Sequence, residues 1–406
     1  MKIIYLHQYF NTPTMHGGTR SYELARRLVA MGHEVHMVTS DTRPSAGNPG
    51  GWRETDESGI HVHWLPLPYS NSMAYAERMR AFGHFAVNST HRAMQLAGDV
   101  VFATSTPLTI AIPGLFASRW NSTPMVFEVR DLWPAIPIAV GALKSRPAIF
   151  AAQMLERAAY SGAAHIVALS PGMKAGVAAA GVSPEKITVI PNLCDPERFQ
   201  VPASAGEAFR RKYSWLGERP MVLYAGTLGM VNDVGYLVRV AADVLKRDPE
   251  VRFVIMGQGR EEAALHTLAE RLGVRDRNLF FLPAVPKAEM PAVLSAASIS
   301  TSLVTDLPCM QDNSANKVFD TLAAGRPIAI NHGGWQAELI AREGLGVCLP
   351  PRDVSAAGAS LVEKVRDSRW LAEAGARAGR LGRERFSADS AALKLAEVLR
   401  CAVGRA

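Results

Sequence analysis

The chain has 406 residues, of which 48% are hydrophobic and 20% are charged, and its formal net charge is +7. This length exceeds what one hydrophobic core usually organises, so we expect two folded domains, and no uninterrupted run of about 20 apolar residues suggests a membrane span. The positive charge is not gathered into a dense Lys/Arg block with interleaved aromatic residues, which argues against nucleic acid as a partner.

The amino-terminal residues and the cysteines bear on the compartment. The first ten residues, MKIIYLHQYF, lack the apolar stretch and the cleavage site of a secretory signal. The cysteines, Cys194, Cys309, Cys348 and Cys401, are too widely spaced for a zinc knuckle or a redox pair. We therefore expect a reduced, cytoplasmic protein without a metal site.

The first elements predict a doubly wound unit. Lys2 to Leu6 is a short apolar run typical of a buried parallel strand, and a loop and a helical pattern follow it. His7 lies at the carboxyl end of this strand, where open sheets place ligand contacts, although a packed histidine would fit equally. In the loop, Gly17 and Gly18 allow the backbone to approach a phosphate or a sugar closely. Arg20 could pair with a phosphate, contact an acceptor or lie on the helix surface.

The next region combines a predicted loop and a long helix. Residues 41–60 are rich in Gly, Pro, Ser and charged residues, which predicts a surface loop. Tyr75 to Leu96 then gives an amphipathic helical pattern with basic side chains on one face. Such a helix can lie on a membrane surface, but the same apolar stripe is also typical of a core face. Both interpretations stay open at the level of sequence.

A charged pair follows the strands of the first half. Asp99 to Ala103 and Pro124 to Val129 are predicted strands, and Arg130 and Asp131 come directly after the second of them. This position is the carboxyl end of a strand, where doubly wound sheets bind ligands. Asp131 is therefore a candidate for touching an acceptor or a sugar, and a structural ion pair of the two residues is the alternative. The later string PNLCDPERF favours a linker because of its prolines.

The second half of the chain restarts the same alternation. Met221 to Tyr224 is a predicted strand, and Gly226 and Thr227 lie in the glycine turn that follows it, before a helix at about residues 233–247. A helix that begins after a glycine turn offers its first N–H groups to an anion. Arg260 follows the next strand, residues 251–256, and could reach a phosphate or begin a solvent-facing helix.

The stretch Asp312 to Pro327 reads DNSANKVFDTLAAGRP. Its apolar spacing predicts a helix that begins near Asn316, with Ser314 or Asn316 as its cap, and that ends at Gly325. Lys317 would add a full positive charge to the unpaired N–H groups of the first turn. This combination predicts an anion site suited to a diphosphate.

This stretch also resembles the donor-site signature of retaining glycosyltransferases of family 4, in which two acidic residues separated by seven others precede an Ala-Ala-Gly-x-Pro ending. Here the two acids are Asp312 and Asp320. The string EVRDLWP, from Glu128 to Pro134, resembles a subgroup of bacterial polysaccharide transferases that includes amino-sugar transferases of O-antigen assembly. The resemblance implies the GT-B fold, an α/β architecture of two doubly wound Rossmann-like domains facing across a cleft.

The resemblance further implies a division of the chain and a set of roles. Residues 1–195 would form the acceptor-side domain, residues 203–380 would bind the nucleotide sugar, and a C-terminal helix of about residues 387–406 would pack back on the first domain. The residues expected to bind the donor are Gly17, Gly18, Gly226, Thr227, Arg260, Val285, Asn316, Lys317 and Asp320. Asp131 and Asp312 are expected to be catalytic, and His7, Arg20 and Arg130 to contact the acceptor or the sugar.

Within that family, the first acid of the signature lies against the transferred sugar and the second binds the ribose hydroxyls. Both acids are Asp in this chain where Glu is usual, so each carboxylate reaches one methylene less far. Arg130 stands where the family carries His, which replaces a neutral imidazole by a permanent cation. Thr227 stands where diphosphate-binding cations are common, so Lys317 and the helix ends would supply that charge.

The function implied by the resemblance is the transfer, with retention, of a hexose or aminohexose from a UDP-linked nucleotide sugar to a lipid-linked saccharide in cell-surface polysaccharide assembly. The nucleotide sugar is a substrate, and neither a cofactor nor a metal is expected. We expect a cytoplasmic protein, with peripheral contact with the inner face of the plasma membrane as an option. Two alternatives are a nucleotide-sugar epimerase of the related fold and a non-catalytic nucleotide-binding regulatory protein. Gly17 and Gly18 lack the Gly-x-Gly-x-x-Gly spacing of a dinucleotide site.

Overall fold

The computed structural model describes residues 1–42, 51–69, 73 and 75–404. The chain divides into two compact units. The first comprises Met1–Thr12, Thr19–Pro191 and Ala388–Ala406, and the second comprises Pro13–Gly18 and Asn192–Ser387. Each unit contains its own predominantly parallel β-sheet with helices between the strands. This confirms the predicted α/β class with two doubly wound domains.

The first unit is built on an eight-stranded sheet. Its strands are β1 (Lys2–Leu6), β2 (Glu34–Asp41), β3 (Arg53–Glu57), β4 (Ile60–Pro66), β5 (Val100–Thr104), β6 (Met125–Val129), β7 (His165–Ala168) and β8 (Ile187–Val189). Its helices before the second unit are α1 (Arg20–Ala30), α2 (Tyr75–Leu96), α3 (Ala111–Trp120), α4 (Ala135–Ala139), α5 (Arg146–Gly162) and α6 (Pro171–Ala179). The strand order is β3-β4-β2-β1-β5-β6-β7-β8, and only β3 and β4 pair antiparallel.

The centre of this sheet is fully buried. Every residue of β5 and β6 is buried, as expected for near-continuous apolar strands covered on both faces. From β1 the chain proceeds to β2 and β4 on one side and then returns to place β5 on the other side of β1. This reversal makes the carboxyl ends of β1 and β5 the point where doubly wound sheets bind ligands.

The second unit is built on a six-stranded parallel sheet. Its strands are β9 (Met221–Ala225), β10 (Arg252–Met256), β11 (Leu279–Leu282), β12 (Ile299–Ser302), β13 (Ile328–Ile330) and β14 (Gly346–Cys348). Its helices are α7 (Pro196–Phe199), α8 (Ala203–Arg211), α9 (Val234–Arg247), α10 (Glu262–Arg271), α11 (Met290–Ala296), α12 (Asn316–Ala323), α13 (Trp335–Glu343), α14 (Val354–Arg366) and α15 (Ser368–Arg385). The order β11-β10-β9-β12-β13-β14 reverses direction between β9 and β12. The second predicted ligand position is therefore the carboxyl ends of these two strands.

Two segments belong to the unit that is not their neighbour in the sequence, namely the last helix and an early loop. Helix α16 (Ala388–Val403) belongs to the first unit, where it packs on α1, and Arg27 Nε lies 2.5 Å from Asp389 Oδ1. Residues 13–18 belong instead to the second unit, although the sequence assigned them to the first domain. Their backbone explains the difference, because the Lys287 N–H donates to the Met15 carbonyl at 3.2 Å and a second such bond joins Ala288 to Pro13.

One expectation about the first unit was wrong, and one open question was narrowed. The stretch predicted as a loop, residues 41–60, contains strand β3, while residues 43–50 lie outside the described part of the chain. Strand β3 lies at the edge of the sheet, and edge strands of native sheets commonly carry charged residues. Its charged sequence therefore looked like a loop. On α2, Phe82, Phe85 and Ala86 are buried, which agrees with the core-face interpretation of its apolar stripe. Across the described residues, we find no helix with both the length and the apolarity needed to cross a bilayer.

Candidate active site

Two glycine turns pack against each other at the carboxyl ends of β9 and β10. The Gly226 N–H donates to the Met256 carbonyl at 2.9 Å, and the Leu228 N–H donates to the Gln258 carbonyl at 3.0 Å. A Cβ atom on Gly257 would overlap the Gly226 carbonyl oxygen, so these turns approach closely only because glycine occupies this position. The turns thus bring exposed backbone to the place where this sheet reverses direction.

Lys317 lies directly against the first of these turns. Its Nζ atom is 5.2 Å from the centroid of the Tyr224 ring, and a Cβ atom built on Gly226 would be only 2.9 Å from Nζ. Burial lowers the pKa of Lys317 to about 8, and the negative charge of Asp320 opposes this shift. The sequence predicted both Gly226 and Lys317 as donor-binding residues, and the structure brings them into contact.

The amino-terminal end of α12 has no side-chain cap, so the predicted capping by Ser314 or Asn316 was wrong. The cap position is Ala315. Ser314 is buried and engaged elsewhere, because its Oγ accepts a bond from the Asn192 N–H at 3.4 Å and its carbonyl accepts from the Asn192 side chain. Without a cap, the partial positive charge of the helix end remains available to an anion beside Lys317.

The glycine loop of residues 13–18 reaches the same helix end. A Cβ atom on Gly18 would lie 2.8 Å from Asn316 Nδ2, so these two predicted donor residues are neighbours within the second unit. Gly17 has a φ of 119°, a conformation that side chains rarely adopt. Val285, the residue expected near the base, is partly buried and packs against the core of the same unit.

The two acids of the signature have different environments. Asp320 Oδ2 lies 2.5 Å from Nζ of Lys287, a buried lysine that the sequence analysis missed. The two residues are 33 positions apart, and no local pattern connects them. Asp312 is half-buried in the loop before α12, and burial raises its pKa. Asp320 is therefore already paired with a cation before any ligand binds.

Two predicted donor residues are less closely tied to this cluster. Thr227 is exposed, and its carbonyl accepts bonds from the Tyr224 hydroxyl at 2.7 Å and from the Asn232 side chain at 3.0 Å. Arg260 is exposed in the turn before α10. The structure therefore gives Thr227 a role in shaping the turn and leaves Arg260 at the surface.

In the first unit, three predicted residues gather at the carboxyl ends of β1 and β6. Arg130 Nη1 lies 3.2 Å from His7 Nε2, and the Arg130 N–H donates to the Ser105 hydroxyl at 3.0 Å. Asp131 Oδ2 accepts a bond from the Thr106 hydroxyl at 3.2 Å. Burial raises the pKa of Asp131, although Arg130 and Thr106 oppose the shift. The strands involved, β1, β5 and β6, are neighbours at the reversal point of this sheet.

Arg20 does not lie at the surface or at this site, and the expectation of a ligand contact is corrected. Its side chain is buried and donates to Glu128 Oε1 at 2.8 and 3.1 Å and to the carbonyls of Ile190 and Pro191. Burial alone would raise the pKa of Glu128, but Arg20, Arg130 and the Thr104 hydroxyl hold it below its ordinary value. The sequence analysis missed Glu128, yet an acid inside an apolar buried strand is a signal that could have found this pair.

The comparisons with known proteins point to glycosyltransferases. Residues 17–193 match the glycosyl transferase 4-like domain, and residues 219–367 match the glycosyl transferases group 1 family. The chain belongs to the GT-B glycosyltransferases. It is 24% identical over 355 residues to the putative colanic acid biosynthesis glycosyl transferase WcaI of Escherichia coli K12, covering 84% of this chain and 86% of that protein.

Solved structures show the same fold for this glycosyltransferase. Anabaena Alr3699/HepE, crystallised with UDP and glucose, superposes with a TM-score of 0.75 and 17% identity over 99% of this chain and all of that chain. WaaG, a glycosyltransferase involved in lipopolysaccharide biosynthesis, gives a TM-score of 0.71 and 18% identity over 98% of this chain and 99% of that chain. At this level of identity the similarity establishes the fold.

The predicted site residues thus fall into two clusters. The cluster in the second unit contains Gly18, Gly226, Asn316, Lys317 and Asp320, together with the added Lys287. The first unit holds His7, Arg130 and Asp131. In the part of the chain that the structure describes, no group of three or more His, Cys, Asp or Glu side chains is arranged to hold a metal ion.

Proposed function

We propose that the protein transfers a hexose or aminohexose from a UDP-sugar to a lipid-linked saccharide, with retention and without a metal ion, in the assembly of a cell-surface polysaccharide. The observation that carries this proposal is the position of Lys317. Its ammonium group lies against the Gly226 turn and beside the uncapped end of α12, at the reversal point of the second sheet. A cation and a helix amino terminus at such a point form a diphosphate site.

The donor would be held through its diphosphate and its ribose. Lys317 and the helix end stabilise the charge that develops on the leaving diphosphate, which is the task a metal performs in other transferases. Asp320 binds the ribose hydroxyls, the backbone near Val285 contacts the base, and Asp312 lies against the sugar. The choice of UDP is supported by the fold shared with HepE, which was crystallised with UDP and glucose.

The acceptor would be bound by the first unit. Asp131 is the protein group proposed to touch the acceptor or the sugar, because it lies at the carboxyl end of β6 beside the reversal point. A saccharide acceptor is supported by the relatives, since WcaI is named for colanic acid biosynthesis and WaaG for lipopolysaccharide biosynthesis, and the lipid carrier is part of our proposal.

A lipid-linked acceptor calls for contact with a membrane, and α5 offers a surface for it. Phe150 and Met154 are one helical turn apart and are 65% and 47% exposed. Lys144, Arg146 and Arg157 are exposed around them, while Glu156, the acidic residue of α5, is half-buried. Exposed apolar side chains framed by basic ones suit an anionic bilayer surface.

Co-sedimentation with vesicles tests this contact. Vesicles containing anionic phospholipid should sediment the wild-type protein, and Phe150→Ser with Met154→Ser should reduce the bound fraction. Leu393→Ser on α16 is the matched control, because Leu393 is 58% exposed and lies on another helix. Equal binding by all three proteins would remove α5 from the proposal.

The first experiment for the function as a whole is thermal stabilisation by UDP, GDP, dTDP and NAD. A ligand that binds the native protein raises its stability by RT ln(1 + [L]/Kd), so a selective shift by UDP that disappears in Lys317→Met supports the donor site. Stabilisation by NAD alone would overturn it. Turnover assays then separate the alternatives, because an epimerase changes the sugar without an acceptor and a regulatory protein turns nothing over.

Retention and metal independence need their own measurements. The anomeric configuration of the glycoside product, read from its proton coupling constant, should equal that of the donor sugar. Turnover should be unchanged by excess EDTA. Inversion of the configuration, or loss of turnover that Mg²⁺ or Mn²⁺ restores, would each contradict the corresponding part of the proposal.

A further inference from the structure

Arg130 holds a positive charge that no carboxylate contacts within the described residues. The residue is half-buried at the carboxyl end of β6, and its guanidinium is hydrogen-bonded only to His7 Nε2, at 3.2 Å. A guanidinium carries five N–H donors in a planar fork, and one contact leaves most of them available. A buried or half-buried charge usually acquires a partner, because removing it from water without one is costly.

The two carboxylates whose pKa values Arg130 influences are hydrogen-bonded to other donors. Glu128 receives bonds from Arg20 and from the Thr104 hydroxyl, and Asp131 receives one from the Thr106 hydroxyl. Both acids still offset part of the Arg130 charge through space, because Arg130 acts to lower the pKa of Glu128 and of Asp131. Neither acid, however, forms an ion pair or a hydrogen bond with the guanidinium among the described residues.

His7 does not neutralise Arg130 either. Because arginine only donates, His7 Nε2 must accept, and the histidine is then neutral with its proton on Nδ1. Burial and the positive charge of Arg130 both lower the pKa of His7, which keeps it neutral. His7 thus fixes one edge of the guanidinium without supplying a counter-charge.

We propose that Arg130 binds an oxyanion, a phosphate or a carboxylate, that belongs to one of the two substrates. The inference rests on the proposed transferase function and names a chemical feature of its substrates. The planar fork matches the two oxygens of either group, and His7, Ser105 and the strand end hold it in place. Arg130 lies at the reversal point of the first sheet, where ligands of doubly wound sheets bind.

Two sources can supply such an oxyanion. One is the phosphate that joins an acceptor sugar to its lipid carrier, and the other is the carboxylate of a uronic acid in the donor or acceptor. Both use the same recognition chemistry, and kinetics with matched substrates separates them.

The experiment measures kcat/KM for charged and neutral substrates, in the wild-type protein and in Arg130→Gln. One arm measures kcat/KM for a sugar linked to a polyprenyl diphosphate against the same sugar as a neutral alkyl glycoside. The other arm compares a hexose with its uronic acid counterpart, first in the donor and then in the acceptor. The ratio of charged to neutral kcat/KM should fall by about tenfold to a hundredfold in one arm, since a hydrogen bond to a charged group is worth that much.

Control variants test whether the fall in the kcat/KM ratio depends on the planar guanidinium of Arg130. Arg130→Lys keeps the charge but loses the bidentate geometry, so it should recover only part of the ratio. Arg119→Gln, an exposed arginine on α3, should leave the ratio unchanged. Folding is checked by stabilisation with UDP, whose site lies in the second unit and should remain intact in Arg130→Gln.

The results of this experiment test the oxyanion site separately from the proposed transferase function. A fall in the diphosphate arm identifies the lipid-carrier phosphate, and a fall in the uronic acid arm identifies a sugar carboxylate. Equal losses for charged and neutral substrates, or no loss in either arm, overturn the inference. If UDP binding and sugar transfer persist in that case, the transferase function stands while the oxyanion site does not.

Discussion

The protonation of Lys317 should control the affinity for the donor nucleotide. Its pKa of about 8 arises from burial against the Gly226 turn and Tyr224, with Asp320 opposing the shift. About nine-tenths of the Lys317 side chains are therefore charged at about pH 7, and about one-tenth at about pH 9. A diphosphate attracts only the charged form, so binding favours the protonated lysine and weakens as the pH rises through 8.

The expected size follows from these fractions. If the bound diphosphate holds Lys317 charged, the dissociation constant for UDP should rise about tenfold between about pH 7 and pH 9, which is about 1.4 kcal/mol of binding free energy. The terminal phosphate of UDP contributes little to this change, since its second ionisation has a pKa of about 6 and is about nine-tenths complete at about pH 7. The increase in the dissociation constant should therefore follow the titration of Lys317.

Isothermal titration calorimetry with UDP across this pH range measures the effect. Lys317→Arg is the decisive comparison, because arginine stays charged throughout and its dissociation constant should not change with pH, whatever its absolute value. Lys317→Met should bind weakly and also without pH dependence. A wild-type affinity that is constant from pH 7 to pH 9, or an arginine variant with the wild-type slope, would refute this account of the site.

Three further predictions concern single positions. Gly226→Ala should weaken UDP binding because its Cβ would displace the neighbouring lysine, whereas Gly229→Ala, whose nearest atom would be 3.7 Å away, should bind as the wild type does in the same titration. Glu128→Gln should lower the stability of the first unit by about 3–5 kcal/mol in calorimetry, because it leaves a buried arginine unpaired, and an unchanged melting temperature would contradict this. Lys287→Met should weaken UDP roughly tenfold by releasing its carboxylate partner, but should not weaken 2′,3′-dideoxy-UDP, which lacks the ribose hydroxyls. An equal loss for both nucleotides would make Lys287 a residue of structural importance only.

Local sequence patterns determined much of the second unit. The apolar run of β9, the glycine turn after it and the helix that carries Lys317 were predicted in their observed places, because strand burial, turn chemistry and helical periodicity are encoded within a few residues. The helix stop at Gly325 was equally local, since this glycine adopts a φ of 61° that side chains rarely take. The signature stretch also pointed to a glycosyltransferase, and glycosyltransferase family models match residues 17–193 and 219–367.

Local preference failed where a distant partner competed. Ser314 is a good cap by residue type, but Asn192, 122 positions earlier, engages its hydroxyl and its carbonyl. The helix of α2 was amphipathic as expected, yet only the packed structure shows that its apolar face covers the sheet. A pattern states which face is apolar, but not what covers that face.

The polar pairs between distant residues were decided by tertiary structure alone. Arg20 meets Glu128 across 108 positions, His7 meets Arg130 across 123, and Lys287 meets Asp320 across 33. The order of strands in each sheet brings these distant segments together, and that order is a property of the whole chain. The sequence by itself therefore determined which residues stand at strand ends and helix starts. The fold decided which charges form ion pairs and which, like Arg130, form none among the described residues, because electrostatic pairing depends on distances in space.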